Sequence, residues 1–391
     1  MKTAFVWDRD ATHYRFGPDH PFNPKRLELT VSLIEAMGLL DADRHPVVAS
    51  RLATEEELLR VHSPEYVAAV RRLSARPDAR EAVRWGLGQG DTPAFAGMHE
   101  ATSRVVGGSL RAAELVMSGK VTRAFNISGG LHHARRDRAS GFCIYNDLAA
   151  AIAWIREAHD ARVLYIDYDA HHGDGVQGMF YSDPDVLTLS VHQSGRTLFP
   201  GTGFVHELGE GAGRGFSWNL PLEPLTGDAG WIPLLAELLP RVAEAFRPDV
   251  IVLQNGCDGH ALDPLTHLRA TTRLYEETTR IVGEIAGAFC GGRIIAAGGG
   301  GYAIWQAVPR AWTLVWAGLS GQTAPERIPA AWLERWEAES PVQLPHDLRD
   351  LVGDFPPVRG IERIRAMNRS VLAVLLRDAL PLLSGAAART P

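Results

Sequence analysis

Short apolar runs alternate along the chain with longer stretches in which apolar residues recur at helical spacing. The runs at 3–7, 122–127, 162–166, 186–191, 250–254 and 293–297 are mainly β-branched or apolar, and Gly, Asp, Asn or Pro bounds each one. That is the pattern of strands buried on both faces. The stretches at 24–37, 55–74, 98–117, 146–157, 231–246, 268–289 and 304–317 read as helices. Strand–helix alternation of this kind predicts an α/β fold with a central parallel sheet covered on both sides. Breaks fall at 320–329 and at a C-terminal tail, 384–391. Beyond Pro329 the pattern becomes amphipathic helix and proline-bearing loop, which predicts a wrap around the same body. One domain over 1–383 is therefore expected, with a flexible tail after it. No tandem repeat or low-complexity block interrupts the body.

Composition narrows the possibilities. Of 391 residues, 46% are hydrophobic and 22% charged, enough to build a large core. The net charge of −6 argues against stable nucleic-acid binding. An apolar run such as 148–155 falls far short of the roughly 18 residues of a membrane span. Asp8, Arg9 and Asp10 interrupt the start of the chain, so no secretory signal is expected and a cytoplasmic location is. Three cysteines, Cys143, Cys257 and Cys290, make neither a disulfide framework nor a zinc-finger spacing. Cys143 adjoins Phe142 and Cys257 adjoins Asp258, but small buried residues are the expected role.

The densest chemistry follows the predicted strand at 162–166. There the sequence reads Tyr165-Ile-Asp-Tyr-Asp-Ala-His-His-Gly-Asp-Gly175. Loops at the carboxyl ends of parallel strands are where open α/β sheets build sites. Asp169 and His171 are two residues apart, so in extended chain their side chains share one side. A carboxylate and an imidazole so placed suit a divalent metal. Asp167 lies on the same side and suits a hydrogen bond from a histidine. The alternative is a polar loop in which Asp174 merely caps a helix. Three carboxylates and two histidines in eight residues are costly to bury without a cation or partners.

Other strand ends supply complementary groups. After the run at 250–254 comes Asn-Gly-Cys-Asp-Gly-His260, where Asp258 is the best third ligand and His260 the second choice. Taken alone, Asp258 would read as a turn residue. Asp169, His171 and Asp258 would leave a fourth metal position open, the catalytic arrangement. The run at 122–127 leads into Ser128-Gly-Gly-Leu-His-His133, with Asp167 and Asp174 available to the two histidines. A carboxylate partner raises imidazole basicity and fixes its tautomer. The run at 293–297 ends in Gly298-Gly-Gly-Gly-Tyr302, where glycines permit close backbone approach and a tyrosine can donate its hydroxyl.

These stretches resemble the histone deacetylase superfamily. The matching segments are His20-Pro-Phe-Asn-Pro-Lys-Arg26, Gly129-Gly-Leu-His-His133, Gly141-Phe142, Asp167–Asp174, Phe199-Pro-Gly-Thr202, Asp258 and Gly298–Tyr302, in the family order. Gly90-Asp-Thr-Pro-Ala-Phe95 followed by Gly97-Met-His-Glu100 is most similar to the bacterial acetoin-utilisation deacetylases. The resemblance implies an arginase/deacetylase-like three-layer α/β/α fold. It implies a zinc-dependent amidohydrolase that removes acetyl or other acyl groups from the ε-amine of lysine in proteins. By the same resemblance Asp169, His171 and Asp258 are zinc ligands, a set that also suits ferrous iron. His132 pairs with Asp167, and His133 pairs with Asp174. Tyr302 is the transition-state hydroxyl that donates to the oxyanion, and His133 is the expected base and acid for the hydrolysis. Phe142, Phe199 and Gly141 form the substrate tunnel, Asp91 the rim, and Arg26 an internal channel. A structural potassium ion is implied at Asp167, the backbone oxygens of Asp169 and His171, Ser190 and Val191. A second monovalent site often uses an aromatic hydroxyl where this chain has Phe216.

Three other readings fit parts of the pattern. A dimanganese ureohydrolase of the arginase type would need a second carboxylate-rich bridging motif, whereas the Asp258 loop supplies one Asp followed by Gly-His. An acetylpolyamine amidohydrolase would share the site but usually carries a rim insertion, and none is evident between Arg84 and Glu100. A non-catalytic acyl-lysine binding module would not need the full set of ligands, histidine pair and tyrosine. The substrate is thus expected to be an acetylated protein or a small acetylated amine, and the sequence is silent on oligomeric state.

Overall fold

The computed structural model describes residues 2–41, 43–88 and 90–387. Among these, eight strands form one sheet: β1 (Thr3–Val6), β2 (Val47–Val48), β3 (Arg123–Asn126), β4 (Val163–Asp167), β5 (Val186–Gln193), β6 (Ser217–Leu222), β7 (Val250–Gln254) and β8 (Ile294–Ala297). Their order across the sheet is β2-β1-β3-β8-β7-β4-β5-β6, and every pairing is parallel.

The central strands are buried along their whole length because each face meets helices. In β7, Ile251 and Leu253 enter one hydrophobic cluster and Val250 and Val252 the other. The same alternation sorts Leu164 and Ile166 from Val163 and Tyr165 in β4. Successive side chains of a strand point to opposite faces, so one sheet has two cores. The first cluster takes in α1 (Lys25–Ala36) and five later helices. These are α7 (Asp228–Phe246), α8 (Thr272–Phe289), α9 (Val308–Ser320), α10 (Ala330–Glu337) and α11 (Ile361–Ala387). The second takes in α2 (Glu55–Leu59), α3 (Pro64–Ala75), α4 (Met98–Met117), α5 (Asp147–His159) and the short α6 (Asp174–Met179). The result is the expected three-layer α/β/α arrangement.

The six strands read from the sequence are present. The two that were not expected sit at the sheet margins. Two-residue β2 is too short to show a period. Edge strand β6 carries Pro221, which removes a ladder donor and is tolerated only at an edge. The helical stretch at 55–74 is two helices, because Pro64 starts α3 with Ser63 as its cap: the Ser63 hydroxyl accepts the Tyr66 N–H at 3.2 Å. α9 starts at Val308, not 304, and 302–307 is irregular chain. The C-terminal wrap adds Ile328, Leu344, Leu348 and Leu375 to the first cluster. α11 continues to Ala387, so the first four residues of the expected tail are helical; 388–391 lie outside the described residues. No described helix is long and apolar enough to cross a membrane.

Candidate active site

Four strands that stand side by side, β3, β8, β7 and β4, send their carboxyl-terminal loops to one place. Those are the loops at 127–133, 298–302, 255–260 and 168–174. The parallel register makes this unavoidable: Asn126 pairs with Ala297, and Gln254 pairs with both Ala297 and Asp167.

Asp169, His171 and Asp258 converge there. Their candidate ligand atoms all lie within 4.8 Å of one another, and all three residues are buried. His171 Nδ1 is 2.8 Å from Asp258 Oδ2 and 3.3 Å from Asp169 Oδ1. Burial works against a charge on His171, yet Asp258 and Asp169 raise it to about 10. Burial, and then the charge of Asp169, pushes Asp258 upward. Two carboxylates thus compete for one imidazole proton, and a divalent cation can take that proton's place. Two oxygens and one nitrogen suit zinc or ferrous iron. The backbone leaves room for this set: a Cβ on Gly300 would strike the carboxylates of Asp258 and Asp169. Asp169 is oriented by N–H donors from Gly300 at 2.7 Å and from the Gln254 side chain at 2.9 Å. Ala170 N–H donates to Asp258 Oδ1 at 2.8 Å, tying the two loops together. His260, the second choice for a ligand, is drawn elsewhere: its Nε2 lies 2.8 Å from Asp350 Oδ2, and its Nδ1 accepts the Leu262 N–H.

The histidine pair lies beside this cluster. Nδ1 of His132 is 2.7 Å from Asp167 Oδ2, and Nδ1 of His133 is 2.7 Å from Asp174 Oδ1. Both Nε2 atoms therefore project into the same space. Burial disfavours a charge on His132, but Asp167 and Asp169 raise it to about 9. Burial and the neighbouring His132 push His133 down to about 4. His132 thus favours its charged form and His133 its neutral form, with the two Nε2 atoms facing each other. Burial opposes ionisation of Asp174, yet His133 and Arg135 hold it well below the usual carboxylate range.

Tyr302, Phe142, Phe199, Gly141, Asp91, His133 and His171 line one cleft of about 210 Å³, together with Leu198 and Leu265. The Tyr302 ring meets Phe142 edge-on at 5.7 Å, and Phe199 meets His133 at 5.1 Å. Burial, then the charges of Asp258 and Asp169, raise Tyr302 well above its ordinary value, which keeps its hydroxyl a donor. Gly141 is required where it sits: φ is +51°, and a Cβ would come within 2.5 Å of the His133 ring. Arg26 is buried and donates to the Gly301 carbonyl at 3.1 Å.

Asp167 and Ser190 are register partners on β4 and β5, with Val191 next along. Asp167 Oδ1 accepts the Asp169 N–H at 3.1 Å, and the Ser190 hydroxyl lies 2.8 Å from His192 Nδ1. Phe216 is buried against Phe246 and offers only its carbonyl, which accepts the Thr188 N–H. Cys143, Cys257 and Cys290 are buried thiols.

Several participants were not read from the sequence. Tyr165 donates its hydroxyl to Asp167 Oδ2 at 2.6 Å, and Arg135 donates to Asp174 Oδ2 at 2.7 Å. His20 holds the Asp91 carbonyl at 3.1 Å. Tyr165 had a usable signal, since it precedes Asp167 by two on a strand and so shares its side. Arg135 and His20 carry no spacing rule that would reveal them.

The chain is similar to known proteins over most of its length. Residues 20–319 match the histone deacetylase domain. The acetoin utilization protein AcuC of Bacillus subtilis (strain 168) is 47% identical over 375 residues, 96% of each chain. AcuC of Staphylococcus aureus (strain MSSA476) is 40% identical over 372 residues, 95% of each. Crystal structures of an HDAC homolog from Aquifex aeolicus and of an HDAC homolog complexed with SAHA each superpose with a TM-score of 0.83 at 32% identity. Each covers 94% of this chain and 100% of the other.

Proposed function

The chain belongs to the histone deacetylase family, and on that footing we propose that it is a metal-dependent lysine deacylase acting on acetylated protein. The observation that carries this reading is the meeting of one three-ligand cluster, two adjacent histidines each anchored to a carboxylate, and Tyr302 at one cleft.

Asp169, His171 and Asp258 would hold zinc or ferrous iron. When bound, such a cation supplies Lewis acidity and makes water a nucleophile near pH 7. His133 Nε2 takes the proton of the attacking water, with Asp174 fixing the tautomer through Nδ1. The same nitrogen returns the proton to the lysine amine as the amide C–N bond breaks and the new C–O bond is retained in the acid. Cationic His132, paired with Asp167, stabilises developing negative charge without giving up its proton. Tyr302 donates its hydroxyl to the carbonyl oxygen as that oxygen gains charge. Phe142 and Phe199 flank the four-methylene stem and exclude water, and Asp91 at the rim accepts N–H groups of the substrate backbone. Arg26, which donates to the Gly301 carbonyl, would line an internal channel, as the family resemblance implies. Potassium would sit at Asp167, Ser190 and the backbone oxygens of Asp169, His171 and Val191, where it steadies the loop carrying the ligands.

The test is hydrolysis of a panel of acyl-lysine peptides and acetylated polyamines, with and without a chelator. Chelator-sensitive release from acetyl-lysine peptides is expected. Preference for the polyamines would replace the protein substrate by a small amine. Chelator-insensitive turnover, or none on any substrate, would overturn the proposal.

A further inference from the structure

Tyr302 follows four glycines, and glycine does not choose its own path. Gly299 and Gly301 sit at φ +146° and +145°, where the chain is free to take other routes. The path is set by contacts on each peptide unit. Gly300 N–H is held by Asp169, and the Gly300 carbonyl accepts Cys257 N–H at 2.8 Å. The Gly301 carbonyl accepts from Arg26. The last tether falls on Tyr302 itself, whose N–H donates to Asp263 Oδ2 at 2.8 Å. Beyond it the chain is half-buried and irregular until α9.

Asp263 has no part in the chemistry described above, yet it is 8% exposed and both of its oxygens are engaged. Oδ1 accepts the Leu265 N–H at 2.9 Å, and Leu265 lines the same cleft as Tyr302. One carboxylate therefore fixes two walls of the cleft. The residue type matters. Asparagine could accept one of these N–H groups, but its amide would turn N–H toward the other, donor against donor.

We propose that Asp263 is a positioning residue that aims the Tyr302 hydroxyl by fixing the Tyr302 main chain. This rests on the oxyanion role given to Tyr302 above. An oxyanion donor must be held at hydrogen-bond distance from where charge develops, and a displacement of about 1 Å can cost about 100-fold in rate.

The test is a double-mutant cycle on the full chain loaded with zinc, using an acetyl-lysine peptide. Tyr302→Phe keeps the main-chain N–H and removes only the hydroxyl. Asp263→Asn is expected to lower kcat by about 10- to 100-fold with little change in KM and unchanged zinc content. In the Tyr302→Phe background it should add almost nothing. Amide exchange at Tyr302, read on zinc-free protein, should quicken in Asp263→Asn. Asp263→Ser, which keeps one acceptor, serves the same comparison if the amide variant does not fold. Unchanged kcat, an effect confined to KM, equal losses with and without the hydroxyl, or unaltered exchange would each overturn the inference. If Tyr302→Phe falls as expected and Asp263→Asn does not, only the inference fails. If Tyr302→Phe keeps full turnover, the oxyanion role fails first and takes the inference with it.

Discussion

The Nε2 atoms of His132 and His133 lie 3.0 Å apart, although each ring is anchored at Nδ1 to a different carboxylate. Two neutral rings, each donating its Nδ1–H to a carboxylate, would set one Nε2 lone pair against the other. A cation beside a neutral ring satisfies the contact well, since the first donates and the second accepts. The division of labour predicts unequal mutants. His133→Ala removes the proton carrier and should cut kcat by about 10²- to 10⁴-fold. His132→Ala should cost less, because it removes a charge and not the proton route. Steady-state kinetics with metal content measured in parallel checks both, and a reversed order would exchange the two roles.

The same pair sets a pH range. His133 must be neutral to act, and burial beside His132 brings it down to about 4, so the base-competent form persists well below the ordinary value near 6.5. His132 stays charged until about 9. The profile of kcat/KM should therefore be broad, falling on the acid side as His133 gains a proton and on the alkaline side as His132 loses one. The two limbs are macroscopic properties of the coupled pair. Metal content must be followed at each pH, and an acid limb at 6.5 with metal retained would place the base elsewhere.

Removal of the metal should be felt in stability as well as activity. The cluster is buried, and without a cation Asp169 and Asp258 face each other across one imidazole. A ligand present at 100 times its dissociation constant stabilises the folded state by about 2.7 kcal/mol. Chelation should lower the melting temperature and abolish turnover together, and zinc or ferrous iron should restore both. Asp258→Asn should bring the melting temperature near the chelated value and blunt the response to chelator. A melting temperature indifferent to chelator would mean that the cluster holds no ion.

How much of this was legible in the sequence follows from which interactions are local. Asp169 and His171 are two apart on extended chain, so their shared side could be read without a fold. The strands of the sheet centre were visible because burial on both faces makes them largely apolar. Edge strand β6 was not, because one long margin lies away from the core and Ser217, Asn219 and Pro221 break its pattern. Asp263 was invisible for another reason. Its work is done on the backbone N–H of residue 302, and no rule of spacing connects positions 39 residues apart. Asp350 is more distant still, 90 residues from His260. His260, the second choice for a ligand, is held instead by a residue that arrives from the C-terminal wrap.

That wrap carries a buried ionic cluster whose loss should be measurable. Asp350 is 4% exposed at its side chain, with Oδ1 2.7 Å from Arg310 and Oδ2 2.8 Å from His260. Oδ2 also accepts the N–H of Thr272 at the start of α8. Burial opposes the charge, but His260 and Arg310 hold the carboxyl well below its usual range. Removing one partner of a buried pair strands the other, which typically costs about 3–5 kcal/mol. Asp350→Ala should lose about that much at pH 7, with the Arg310 guanidinium left in a side chain only 5% exposed. The pH dependence has a fixed sign. A carboxyl depressed in the folded state contributes fully above its unfolded value of about 3.9, and the contribution fades as pH falls below it. The gap between wild type and Asp350→Ala in urea midpoint should therefore be wide at pH 7 and narrow toward pH 3. A gap that stays constant over that range would show that Asp350 acts by packing and not by charge.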